Sequence, residues 1–123
     1  MSFKTLMIIK AVVCLAFGVL LLFFPQWLLG LMGAPIDAAG AYPAREYGAA
    51  LFGTLMLTWF ARGAASNETR RPILLDLLVY DAIGFVVTTL TVLSGVLNWL
   101  GWGIVAVYAF FTAGSAYLLT RKA

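Results

Sequence analysis

Residues 73–85, ILLDLLVYDAIGF, set two carboxylates, Asp76 and Asp81, and the phenol of Tyr80 inside a run of hydrocarbon side chains. An ionised side chain at the centre of a bilayer costs about 2.5–3.5 kcal/mol on insertion scales, so it is paired, neutralised or put to use. A candidate partner of opposite sign, Lys10, lies in the first apolar run. Three chemistries are open to this set. Lys10 can pair with an aspartate while Tyr80 or a threonine such as Thr88 fills the remaining hydrogen bonds, which would fix helices to one another. Lys10 and Asp76 can instead snorkel to the nearer membrane face, which needs no partner. Asp81 can exchange a proton in a water-accessible cavity and couple it to an ion or solute. Burial favours the neutral acid and a facing ammonium favours the carboxylate, so the protonation of Asp81 stays open.

A second polar group, Arg45, Glu46 and Tyr47, stands at the start of another apolar run. Neighbours on a helix point about 100° apart, so Arg45 and Glu46 are not expected to pair with each other. They can anchor the chain at a membrane face, or turn inward and line an outward-opening pocket with Tyr47 and Tyr108.

Other chemistries lack their residues. The chain has no histidine and one cysteine, Cys14. The usual zinc, haem and iron–sulfur ligand sets are therefore missing, and no cofactor or metal is expected. No nucleophile–base pair or phosphate-binding glycine loop is present, so no catalytic residue is assigned and an enzyme is not expected. The basic stretch RGAASNETRR (62–71) is short and better explained by membrane topology than by nucleic acid.

The elements that must hold these groups are apolar segments. Of 123 residues, 63% are hydrophobic and 11% charged, a membrane-protein composition rather than that of a soluble domain. Four segments, about 5–24, 46–61, 72–94 and 99–119, come near the roughly 17–25 residues that cross a bilayer. Lys10 interrupts the first run and no small-residue cleavage site closes it, so it reads as a retained helix rather than a signal peptide. PQWLLGLMG (25–33) is too short to cross and too apolar for a solvated loop. It reads as a short helix or turn in the outer interface, the alternative being a first helix that continues past Pro25 with a kink. Pro72 suits the first turn of the third helix.

Basic residues are unevenly placed: Lys4, Arg62, Arg70, Arg71, Arg121 and Lys122 fall on one side and Arg45 on the other. That asymmetry predicts cytoplasmic termini, with Trp27, Trp99 and Trp102 at the far interface. At about 1.5 Å per residue, Asp76 lies roughly 6 Å past Pro72, Asp81 roughly 13–14 Å past it, and Lys10 roughly 9 Å past Lys4. In the third span Asp81, Gly84, Thr88, Thr91 and Gly95 recur every three or four residues, the seam of a helix pair. Comparable small-residue series are Ala106, Ala109, Ala113, Ala116 and Thr120 in the fourth span, Ala11, Cys14 and Gly18 in the first, and Ala49 and Gly53 in the second. The expected fold is an all-α integral membrane domain over residues 1–123, an antiparallel four-transmembrane-helix bundle with both termini cytoplasmic.

Two stretches carry a resemblance. GVLLLFFPQWLLGLMG (18–33) closes a first helix with a proline before a short apolar turn, and REYGAALFGTLMLTWFAR (45–62) places an arginine before a glycine-rich second helix. This layout resembles small bacterial four-helix membrane proteins, the DoxX-like and neighbouring families of unknown function. The resemblance covers most of the chain in architecture and few specific residues, so no functional residue is carried over. It implies a bacterial inner membrane and a membrane anchor for a redox partner, although no cysteine pair or histidine is present to carry electrons. The residues themselves favour a non-enzymatic accessory subunit or binder of a lipophilic small molecule. The alternative is a small transporter or channel using Asp81 with Lys10 and Asp76. The expected partners are the lipid bilayer and a homo-oligomer or larger membrane complex.

Overall fold

Ser2 starts the first helix: its hydroxyl accepts from the Thr5 N–H and caps α1, Phe3–Phe23. The structure, a computed structural model, describes residues 1–121; Lys122, counted above among the basic residues, lies outside the described residues. At Phe24 the backbone leaves the helical region, because the following proline disfavours a helical conformation there and has no N–H to continue the ladder. Pro25 then occupies the first position of α2, Pro25–Leu31, where a helix has no use for that N–H. The apolar stretch after α1 is thus a separate seven-residue helix and not a kinked continuation.

Two helices begin earlier than their hydropathy indicates. Asp37 accepts from the Gly40 N–H at 2.8 Å and caps α3, Ala38–Ala61, eight residues before the expected start at 46, with Pro43 inside the helix. Ser66 likewise caps α4, Asn67–Leu93, by accepting from the Thr69 N–H, so Pro72 lies in the helix interior rather than in its first turn. Hydropathy marks where a chain prefers hydrocarbon, whereas a cap marks where the backbone turns helical, and here a polar turn separates the two. The 27 residues of α4 make it roughly 40 Å long, more than the roughly 30 Å hydrocarbon core, which suits the charges in its first turns. The last helix is α5, Gly101–Thr120.

The described residues are all helical apart from turns. Three helices, α1, α4 and α5, are long and apolar enough to cross a membrane. The expected second span lies within α3, which has the length but falls short of that apolarity because it carries Arg45, Glu46 and many small residues. Outward-facing Phe60, Leu90 and Leu93 expose 77%, 62% and 67% of their surface, which suits lipid rather than water.

The most extensive helix contacts are α1 with α3 and α4 with α5, and α1 also touches α5. Two of the expected small-residue faces sit elsewhere. In α3, Ala49 and Gly53 are exposed, and Gly48, Leu51 and Thr58 are buried instead. In α5, Ala106 and Ala113 are exposed, and the packed face runs Gly101, Val105, Phe111, Ser115. The α1 series Ala11, Cys14 and Gly18 is buried. Asn98 joins the two far turns: its backbone N–H donates to Met32 O, its side-chain amide donates to Leu31 O, and its Oδ1 accepts from the Leu100 N–H.

Two apolar clusters fill the interior. One gathers Phe3, Leu6, Met7, Leu74, Leu77 and Phe111 near the start of α1 and α4. The other gathers Cys14, Leu21, Leu28, Met32 and Leu51 under α2. In α1, Lys10 falls between Met7 of the first cluster and Cys14 of the second.

Candidate functional site

Lys10 and Asp81 meet. The ammonium donates to Asp81 Oδ1 at 2.7 Å, and both side chains are buried, at 3% and 0% exposure. Lys10 Nζ also lies 4.6 Å from the ring centroid of Tyr80 and 4.4 Å from that of Phe111. An ammonium has three N–H groups, and here a carboxylate and two aromatic faces receive it. The other carboxylate oxygen, Asp81 Oδ2, is buried without a hydrogen-bond partner. Snorkelling therefore does not describe Lys10, whose head points inward. Asp76 is exposed and takes no part, being five residues, or about 140° around the helix, from Asp81.

The second polar feature is a tyrosine cluster. Tyr47 from α3 bonds through its hydroxyl to that of Tyr80 from α4, and to that of Tyr108 from α5 at 2.6 Å. The Tyr80 ring meets the Tyr47 and Tyr108 rings edge to face. Three hydroxyls carry three donor protons and two bonds use two of them, so one hydroxyl proton remains to be given elsewhere. Arg45 and Glu46 are exposed and do not join Tyr47 and Tyr108. The two groups proposed from the sequence are regrouped: Tyr47 and Tyr108 stand with Lys10, Tyr80, Asp81 and Thr88, while Arg45, Glu46 and Asp76 stand apart.

These six residues line one cavity of about 450 Å³. Its other walls are chiefly apolar, with Cys14, Phe17 and Leu21 from α1, Leu28 from α2, Leu51 from α3 and Ile104 from α5. The cavity lies between the two helix pairs, which the apolar cluster of Phe3, Leu6, Met7, Leu74, Leu77 and Phe111 also joins, and polar groups bridge them at the cavity: Lys10–Asp81 ties α1 to α4, and the tyrosines tie α3 to α4 and α5. Sequence reasoning missed the α2 lid and the α1 wall. The wall had a signal, since Lys10, Cys14, Phe17 and Leu21 recur at spacings of four, three and four. The lid had none, because nothing local says where a seven-residue helix folds back.

A close approach sets the cavity's floor. A Cβ on Gly84 would overlap the Tyr108 ring, so glycine lets that ring lie against α4. Gly84→Ala is expected to cost about 1–2 kcal/mol by forcing the ring aside. In a Tyr108→Ala background the same change should cost less than about 0.5 kcal/mol, as measured by reversible unfolding of the double-mutant cycle.

Among the described residues no three His, Cys, Asp or Glu side chains come together to hold a metal ion. What the site offers is hydrogen bonding at the edge of an apolar chamber, through three tyrosine hydroxyls with one spare donor proton, while Asp81 is fully buried and its Oδ2 has no partner. No curated protein and no solved structure matches the chain. A family model described as a domain of unknown function, DUF8292, matches residues 1–121, and the chain belongs to that family.

Proposed function

We propose that this DUF8292 member is a non-enzymatic, four-pass inner-membrane protein, a four-helix bundle with cytoplasmic termini, that binds a lipophilic small molecule between its two helix pairs. The observation that carries this reading is the cavity of about 450 Å³, apolar on most of its walls and polar at Lys10, Asp81 and the three tyrosines. Its size falls in the range of small-molecule sites, which are mostly apolar with a few converging polar groups. The spare tyrosine donor selects a ligand whose head group accepts a hydrogen bond, such as an alcohol, a phenol or an amide, on an apolar body. A head without an acceptor would leave that hydroxyl unpaired, at about 1–3 kcal/mol. The gathering of Lys4, Arg70, Arg71 and Arg121 around one cavity supports the orientation, with Arg45 far along α3 from that end.

Photolabelling tests the reading. A diazirine-bearing long-chain alcohol, activated with the protein in a lipid nanodisc, should label Phe17, Leu28 and Met32, and excess unlabelled alcohol should suppress it. Tyr47→Phe should reduce that labelling several-fold, since it removes the hydroxyl that joins the other two. Labelling confined to outward residues such as Val12, Phe60 and Leu90 would sink the proposal. The second reading, a small transporter or channel, draws support from the unpartnered Asp81 oxygen at the cavity. It requires proton or solute flux in liposomes that Asp81→Asn abolishes while the protein still folds.

A further inference from the structure

The end of the molecule where α1 and α4 begin and α5 finishes holds a second cavity, of about 510 Å³. Four cations line it, Lys4, Arg70, Arg71 and Arg121, and among the described residues no carboxylate does. The one ion pair among the described residues is Lys10–Asp81, so among the described residues none of these four has a carboxylate partner. Arg70 is held in place: its Nε donates to the Ala64 carbonyl, and its guanidinium lies 5.0 Å from the Phe3 ring centroid. Ser2 and Asn67, at the N-terminal ends of the two helices, reach the same space, and the positive ends of helix dipoles favour an anion there. The rest of the lining is apolar: Phe3, Leu74, Leu118 and Leu119.

Membrane orientation requires basic residues on one side, but it does not require four of them around a shared cavity with an apolar wall. Like charges so arranged repel, and an anion relieves that repulsion. We propose that this pocket binds a phosphate-bearing anion, supplied as the head group of an anionic membrane lipid. The phosphate sits among Arg70, Arg71, Lys4 and Arg121, and the acyl chains run along Leu74, Leu118 and Leu119. The apolar wall is what favours a lipid over free phosphate, which would gain nothing from it. Basic pockets between transmembrane helices on the cytoplasmic side are suited to such head groups.

The test is native mass spectrometry of the full chain in mild detergent, titrated with phosphatidylglycerol, cardiolipin or phosphatidylcholine. The anionic lipids should bind about tenfold or more tightly than phosphatidylcholine, and the preference should shrink as salt is raised. Arg71→Gln with Arg121→Gln should weaken binding about tenfold, while the lipid-free melting temperature does not fall. Both arginines are exposed, and Arg70, which braces the loop, is left in place. Equal affinity for charged and zwitterionic lipid, or equal affinity in wild type and double variant, overturns the proposal. Displacement of the lipid by millimolar inorganic phosphate would assign the pocket to phosphate itself and overturn the lipid as its source. The outcome is independent of the photolabelling above, which reads the other cavity.

Discussion

Lys10→Met is expected to lower the unfolding free energy by about 3 kcal/mol, whereas Lys10→Met combined with Asp81→Leu should return to within about 1 kcal/mol of wild type. The single change leaves the Asp81 carboxylate, fully buried and already lacking a partner for Oδ2, without its ammonium. Removing one partner of a buried pair costs about 3–5 kcal/mol in soluble proteins, and the low end applies here because membrane-inserted unfolded helices also find partners for polar groups. Lys10 can snorkel once α1 separates, which lowers the unfolded reference further. The double change removes both charges and both desolvation costs, and replaces them with apolar side chains of similar size. Titration of the purified protein with a denaturing detergent gives all three values. A double variant as unstable as the single would mean that the pair holds α1 to α4 by more than the cost of stranding a charge.

The second large effect falls on a glycine. Gly48→Ala should cost about 3 kcal/mol, at the upper end of the overpacking range, and Gly53→Ala should be neutral or stabilising by up to about 1 kcal/mol. A Cβ on Gly48 would lie 2.8 Å from Leu22 N, 3.0 Å from Gly18 O and 3.2 Å from Leu21 C. All three are backbone atoms, which cannot rotate aside, so α1 and α3 would have to move apart. Tyr47 is the next residue, so that movement would also pull one hydroxyl from the tyrosine cluster. At Gly53 nothing lies within 4 Å of the added carbon, and alanine is the better helix former. Thermal unfolding of the two variants side by side decides it: equal losses would mean that the helix pair does not cross at Gly48.

Much of the site is legible in the sequence. The chain has few charges inside its apolar runs, so Lys10 had few possible partners, and Asp81 was the deeper of its two. Asp76 was legible as the shallower of the two, and its exposure follows from its angle around α4. Tyr47 and Tyr108 were grouped from the sequence with Arg45 and Glu46, whereas the structure sets them beside Tyr80 and Asp81. The difference has a simple origin. Sequence position reports depth along a helix axis well, and rotation about that axis poorly when small residues occupy several faces at once.

The sequence by itself determined the helical, membrane-suited character of this protein, an interruption at Pro25 and the rule that Lys10 and Asp81, as charges within apolar runs, must be paired, neutralised or put to use. These follow from local properties: transfer free energy, the missing proline N–H and the cost of a lone charge in hydrocarbon. Only the tertiary structure decided that Gly48 rather than Gly53 lies at the α1–α3 crossing, that α2 folds over a chamber, and that three tyrosines from three helices share hydrogen bonds at its wall. In lipid no difference in hydrophobicity marks the inward face of a helix, so close packing among distant segments sets its rotation, and packing is not a local property of any of them.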